Sequence, residues 1–229
     1  MRLFSSLNHF ELPRWRGPLI SDVLKVFDPA WVVTPAQAVE VWGFHPRRVE
    51  VPYTMETIRW CAAQNRLAIE PQEWRLAYLF DFSLREMYEL LNDGSLRMHF
   101  DPDLQWLARE RVQRTWADDT IEARCRLINI CGNYENRSWF DQEQELRVRA
   151  RPSIVRTPSP AIAQTIFDIN FLHNKRLLVD WCHAGPERDS TGCHICVGPF
   201  GDRGLKISSA DPTSKDPRRA VCYMIPPEF

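Results

Sequence analysis

Thr165-Ile166-Phe167-Asp168-Ile169-Asn170-Phe171 is the stretch on which the fold class turns. From Phe167 onward apolar and polar residues alternate at period two, the pattern of a strand with one face buried and one in water. Read as a strand, it opens a β-rich C-terminal segment. Further short β-like runs follow at Arg176–Trp181, His194–Val197, Leu205–Ile207 and Ala220–Ile225, and more than half of the seventeen prolines fall after residue 150. The pattern predicts a small antiparallel sheet of four or five strands, with the residues between Asp180 and His194 as a long connection.

Working back from there, the text changes character near Arg151-Pro152. The upstream residues read as helices with punctuation. Thr34-Pro35 opens one helix and Gly43 closes it. Thr54 caps another through Asn65, with Ile58, Cys61 and Ala62 on one face. Pro71 starts a third that carries Trp74, Leu76, Tyr78 and Leu79. Ser83-Leu84-Arg85-Glu86 is a capping box for a fourth that stops at Asn92-Asp93-Gly94. Asp101-Pro102 begins a fifth, and Asp119-Thr120-Ile121-Glu122 begins a sixth whose stripe is Ile121, Cys125 and Ile128. The expectation is therefore α+β: a helical domain over 1–150 and a β-rich, Cys/His-containing module over 151–229, with zinc as a candidate stabiliser of the module.

Composition limits the function classes. Charged residues make up 26% and hydrophobic residues 44% of 229 residues, ordinary for a chain that buries a core. A formal net charge of −1 argues against a surface that coats nucleic acid or is steered to membranes, though a local patch is compatible with it. The positive charge is nearly all arginine, with Lys25, Lys175, Lys206 and Lys215 the exceptions. Nine tryptophans are spread along the chain, as core anchors would be. The first ten residues lack the apolar run of a signal peptide, and no segment reaches the ~18 apolar residues of a membrane span. Seven cysteines, an odd number, point to a reducing compartment, and a cytoplasmic location is expected.

The chemistry-bearing residues concentrate between Asp180 and Gly204, which hold two Cys-His doublets, a C-x-x-C and five of the nine glycines. Zinc takes four ligands in a tetrahedron, and Cys193-His194-Ile195-Cys196 supplies one pair. Cys182 is the third ligand by proximity, and Cys222 is the fourth, with His183 or His194 as substitutes. Haem attachment is excluded, because Val197 stands where the histidine after the second cysteine would be. A Cys-His nucleophile pair is disfavoured: neighbours on a strand face opposite ways. Reduced core cysteines remain the competing explanation for the whole cluster.

Arg147, Arg149 and Arg151 recur at period two, which on a strand would make a cationic stripe facing phosphates, extended by Arg156. Asp141, Glu143 and Glu145 upstream suit a solvated, balanced face instead. No acid/base pair or phosphate-cradling loop stands out. The expected function is that of a non-catalytic binding or accessory subunit engaging a protein or nucleic-acid partner, away from membranes. The alternative is a metal-dependent hydrolase or nuclease built on Cys182, His183, Cys193, His194 and Cys196 with Asp180, Glu187 or Asp189 as the acid.

Overall fold

The structure, a computed structural model, describes residues 17–67, 72–92, 100, 116–133, 136–148, 154–173, 182–215 and 219–229. Among them are six helices: α1 (Ile20–Val23), α2 (Pro35–Trp42), α3 (Met55–Gln64), α4 (Leu84–Asn92), α5 (Trp139–Val148) and α6 (Ser159–His173). The strands are β1 (Val32–Val33), β2 (Trp74–Leu79), β3 (Arg124–Asn133), β4 (Val155–Arg156), β5 (Cys182–Arg188), β6 (His194–Gly201), β7 (Gly204–Ala210) and β8 (Arg219–Ile225). The class is mixed α+β, as the sequence implies. The placement of helix and strand along the chain is not.

Three of the expected elements change type. The segment after Pro71 is not a helix but β2, all six of whose residues are buried. The segment after Asp119 is likewise a strand, β3, antiparallel to β2 with Leu76 opposite Leu127. Thr165–Phe171 is the reverse case, lying inside the 15-residue helix α6. Thr165 Oγ1 donates to the carbonyl of Ala161 at 2.8 Å, an i−4 bond that only a helix brings within reach. The expected helix from Asp101 and the expected strand at 176–181 lie outside the described residues.

Other readings hold. Thr34 caps α2, accepting from the Gln37 amide at 3.2 Å, and Gly43 closes it in the left-handed region at φ 74°. Thr54 caps α3 in the same way. Ser83 and Glu86 exchange bonds of 2.7 and 3.1 Å across the first turn of α4. Strands β6, β7 and β8 contain the three last runs read from the sequence.

β1, β2, β3, β8 and β4 form a mixed five-stranded sheet, and β5, β6 and β7 form an antiparallel one. Strand β8 joins the two. Its first residues run parallel to Cys182 and His183 of β5, while Tyr223 and Met224 pair with β3 on one side and β4 on the other. Main-chain pairing thus links β3, before residue 150, with β8, after it.

Helix α6 packs on β2 of the larger sheet, on β5 and β6 of the smaller, and on α2 and α4. A helix touched from every side has no solvent face to give it a polar stripe. Its residues from Ser159 through Ile169 are buried, and Phe167 contacts the rings of Trp42, Phe100 and Phe200 at 5.1–6.1 Å. Two side-chain amides finish the β2 edge. Asn65 bonds both the N–H and the carbonyl of Trp74, at 2.7 and 2.8 Å, and Gln164 of α6 bonds both those of Phe80, at 2.9 Å. Each imitates a strand partner, so the buried N–H and carbonyl groups of Trp74 and Phe80 are paired.

Candidate functional site

The Cys/His segment is not a long connection but the β5–β6 hairpin itself. Its turn is set by Asp189, whose Oδ1 accepts from the amides of Thr191 and Cys193 at 2.9 and 3.0 Å. Gly192 completes it at φ 84°, a conformation that favours glycine.

The four cysteines proposed as ligands are placed differently from one another. Cys182, half-buried at the start of β5, has its sulfur 4.0 Å from the Ser208 hydroxyl. Cys193 is half-buried in the turn. Cys196, buried in β6, donates to the carbonyl of His194 at 3.8 Å, and Cys222, buried in β8, to that of Asn129 at 2.9 Å. Among the described residues, no group of three or more His, Cys, Asp or Glu side chains is arranged to hold a metal ion. Of the acids weighed for a hydrolase, Asp180 lies outside the described residues and Asp189 is committed to the turn. Glu187 accepts from the Ser159 hydroxyl at 2.6 Å and from its amide at 3.0 Å, capping α6 from outside the helix. Gly185 lies beside this pair, and a Cβ there would press on the Ser159 hydroxyl and the Glu187 carboxylate and displace their bond.

What the hairpin does assemble is a packed polar knot under α5. Register sets Cys196 opposite Ala184 and His183 opposite Val197, so Cys196 and His183 occupy opposite faces of the sheet. Arg156 of β4, buried, donates from Nε to Glu143 at 2.8 Å and from Nη1 to Gln142 at 3.2 Å and to the Ala184 carbonyl at 2.9 Å. Glu143 and Gln142 belong to α5, so this guanidinium ties the helix to the hairpin. Trp139, the first residue of α5, lies 4.8 Å from the same guanidinium and stacks on His194 with centroids 4.1 Å apart and planes 10° from parallel. His194 Nδ1 is 3.2 Å from the Gly185 carbonyl.

Charge in this knot is controlled by burial. Loss of solvent, with Arg156 nearby, lowers His183 to about 4. Loss of solvent, with Arg188 and Arg156, lowers His194 to about 4. Both rings are neutral at neutral pH, so Arg156 carries the cationic charge beside Glu143. The arrangement fixes α5 in place; both rings are closed off from solvent.

The outer side of α5 is the opposite case. Ser138 caps it, accepting from the Asp141 amide at 3.2 Å and donating to its carboxylate at 2.7 Å. Gln142 and Leu146 face inward. Phe140, 54% exposed, and Val148, 76% exposed, stand outward with Gln144 and Arg147 between them at helical spacing. A surface hollow of about 350 Å³ lies along this side, lined by Arg137, Asp141, Gln144, Glu145 and Val148.

The arginine stripe is therefore set on different ground than its spacing suggested. Arg147 is in the last turn of a helix and exposed, Arg156 is in the core, and Arg149 and Arg151 lie outside the described residues. Elsewhere guanidiniums meet carboxylates within the chain: Arg47 with Asp81, Arg85 with Asp118, Arg124 with Glu122, Arg137 with Glu145. Trp139 and Arg156 were not singled out as a pair by sequence. The available signal was the capping start at Ser138, which fixes α5's helical phase and so separates Phe140, Gln144 and Val148 from the inward Gln142 and Leu146.

No family model, no curated protein and no solved structure matches the chain.

Proposed function

We propose that the protein is a non-catalytic binding subunit that engages another protein through the outward face of α5. The observation that carries this reading is the exposure of Phe140 and Val148 at the two ends of a helix whose opposite face is anchored by the Arg156–Glu143–Trp139 knot. A rigid helix presenting apolar side chains around a polar hollow is a common way for one protein to receive another. A protein is favoured over nucleic acid because the face carries Asp141 and Glu145 as well as Arg137 and Arg147, and Arg137 is already paired with Glu145. Phosphate backbones call for unopposed cations. No membrane-crossing element enters the reading: among the described residues no helix is long and apolar enough to span a bilayer.

The test is a photo-crosslinking residue placed at Gln144 in the native host, with a control at Arg59 on α3. A discrete protein adduct at 144 and none at 59 is the expected result. An adduct of RNA or DNA would transfer the reading to nucleic acid, and equal labelling at both positions would end it.

A further inference from the structure

A second surface cavity, of about 270 Å³, lies away from α5 and is lined by Arg48, Glu50, Pro52, Arg124 and Phe229. Its walls are held from behind. Tyr53, buried, donates to the Ile225 carbonyl at 2.9 Å and accepts from the Leu127 amide at 3.0 Å, pinning the loop after α2 to β8 and β3. The Glu228 amide donates to the Pro52 carbonyl at 2.9 Å, and the Thr54 amide to the Glu228 carboxylate at 2.6 Å. Arg124 at the head of β3 donates to the Phe229 carbonyl at 3.1 Å.

The lining has three chemistries side by side. Pro52 and Phe229 form an apolar wall. Arg48 and Arg124 supply two guanidiniums, and the geometry already shows what they grip: the carboxylate of Glu122 contacts both, pairing with Arg48 and lying 3.2 Å from Arg124 Nε. Glu50 offers a carboxylate of the opposite sign. The Arg48 and Glu122 side chains are 57% and 48% exposed, so their ion pair is a surface one that contributes little and is readily exchanged. Arg124, 15% exposed, is the better shielded guanidinium and so the stronger anchor for an incoming carboxylate that takes the place of Glu122. A purely anionic ligand would leave Glu50 opposed by nothing new. One that carries a carboxylate and an ammonium matches both signs.

We propose that this cavity binds a free α-amino acid with an apolar side chain. Its carboxylate lies on Arg48 and Arg124, its ammonium faces Glu50, and its side chain covers Pro52 and Phe229. The volume fits a ligand of that size, being just under the usual range for drug-sized molecules.

Isothermal titration of the full chain with phenylalanine, N-acetylphenylalanine and phenethylamine tests the assignment. Phenylalanine should bind, and each analogue, lacking one charged group, should bind at least about tenfold more weakly. Arg48→Gln and Glu50→Gln, both surface changes that leave the circular dichroism spectrum as it was, should each weaken phenylalanine by about tenfold. Glu50→Gln should leave N-acetylphenylalanine unchanged. Absence of binding by phenylalanine, leucine and methionine at millimolar concentration overturns the proposal. So does equal binding of phenylalanine and both analogues, or indifference to both substitutions.

Discussion

Trp74–Leu79 and Thr165–Phe171 are two short, largely apolar runs, and the sequence patterns suggest the opposite structure for each. The first, expected as a helix opened by Pro71, is the strand β2, in which Trp74, Leu76 and Tyr78 recur at period two; the second, which also alternates from Phe167, lies within helix α6. They share an environment. Every residue of β2 is buried, and so is α6 from Ser159 through Ile169. Hydrophobic periodicity exists because one side of an element faces water, and an element covered on all sides is under no pressure to show it. What remains informative is length and punctuation. Thr157-Pro158-Ser159-Pro160 is a helix-start text, and no proline or glycine follows until beyond His173, a span too long for an ordinary strand. Run length separates the two segments where alternation fails.

The comparison can be broken most forcefully in the core. Trp74→Ala in β2 removes a ring packed on Trp60 and Tyr223, and Phe167→Ala in α6 one packed on Trp42, Phe100 and Phe200. Each should destabilise the fold by about 3–5 kcal/mol in chemical denaturation. If either costs under about 1 kcal/mol, that segment is not the buried element described.

A somewhat smaller loss is expected where the two regions touch. Gln164→Leu keeps the bulk but leaves the Phe80 N–H and carbonyl without the amide that now pairs with both, at about 2 kcal/mol or more. A neutral result for Gln164→Leu would show that α6 does not complete the edge of β2.

Next comes pH, which tells buried helix from buried hairpin by sign. Burial raises the Asp168 carboxyl in α6 to about 8, against the lowering effect of its 2.6 Å bond from Trp42. The folded chain keeps a proton that the unfolded chain releases above its ordinary value of 3.8, so this group's stability contribution falls as pH rises from about 4 to about 8. His183 in β5 runs the other way. Held at about 4 when folded against 6.5 ordinarily, it loses stability as pH falls from about 6.5 to about 4. Urea titrations across pH should show Asp168→Asn flattening the alkaline limb and His183→Leu the acid limb. Should Asp168→Asn flatten the acid limb instead, the burial of that carboxyl in α6 is wrong.

The smallest effect is expected on the surface. Phe140→Ser on the outer side of α5 should change stability by no more than about 0.5 kcal/mol, while abolishing the protein adduct formed from position 144. A large destabilisation would mean that Phe140 is part of the core and that the face is not free to receive a partner.

Much of the chain was legible from sequence for a definite reason. Helices α2, α3 and α4 announce themselves through Thr34, Thr54 and the Ser83–Glu86 box, and Gly43 marks an end, because caps act on backbone groups within a few residues. Strands β6, β7 and β8 were visible for their short β-rich runs between turn residues. The sequence also concentrated attention on Cys182 to Cys196, and that segment is a structural centre. Which of its residues act together, however, was decided only by the tertiary structure. Arg156, read as one more charge of a surface stripe, is buried because β4 pairs with β8 and sets it beneath α5, where Glu143 and Gln142 receive it. His194 meets Trp139, far from it in sequence, and Cys222 donates to the carbonyl of Asn129, also distant along the chain. Local signals in a sequence record local bonds and the side of an element that faces water. Contacts between buried elements leave neither mark, so they are fixed by which surfaces fit together when the sheets close around α6.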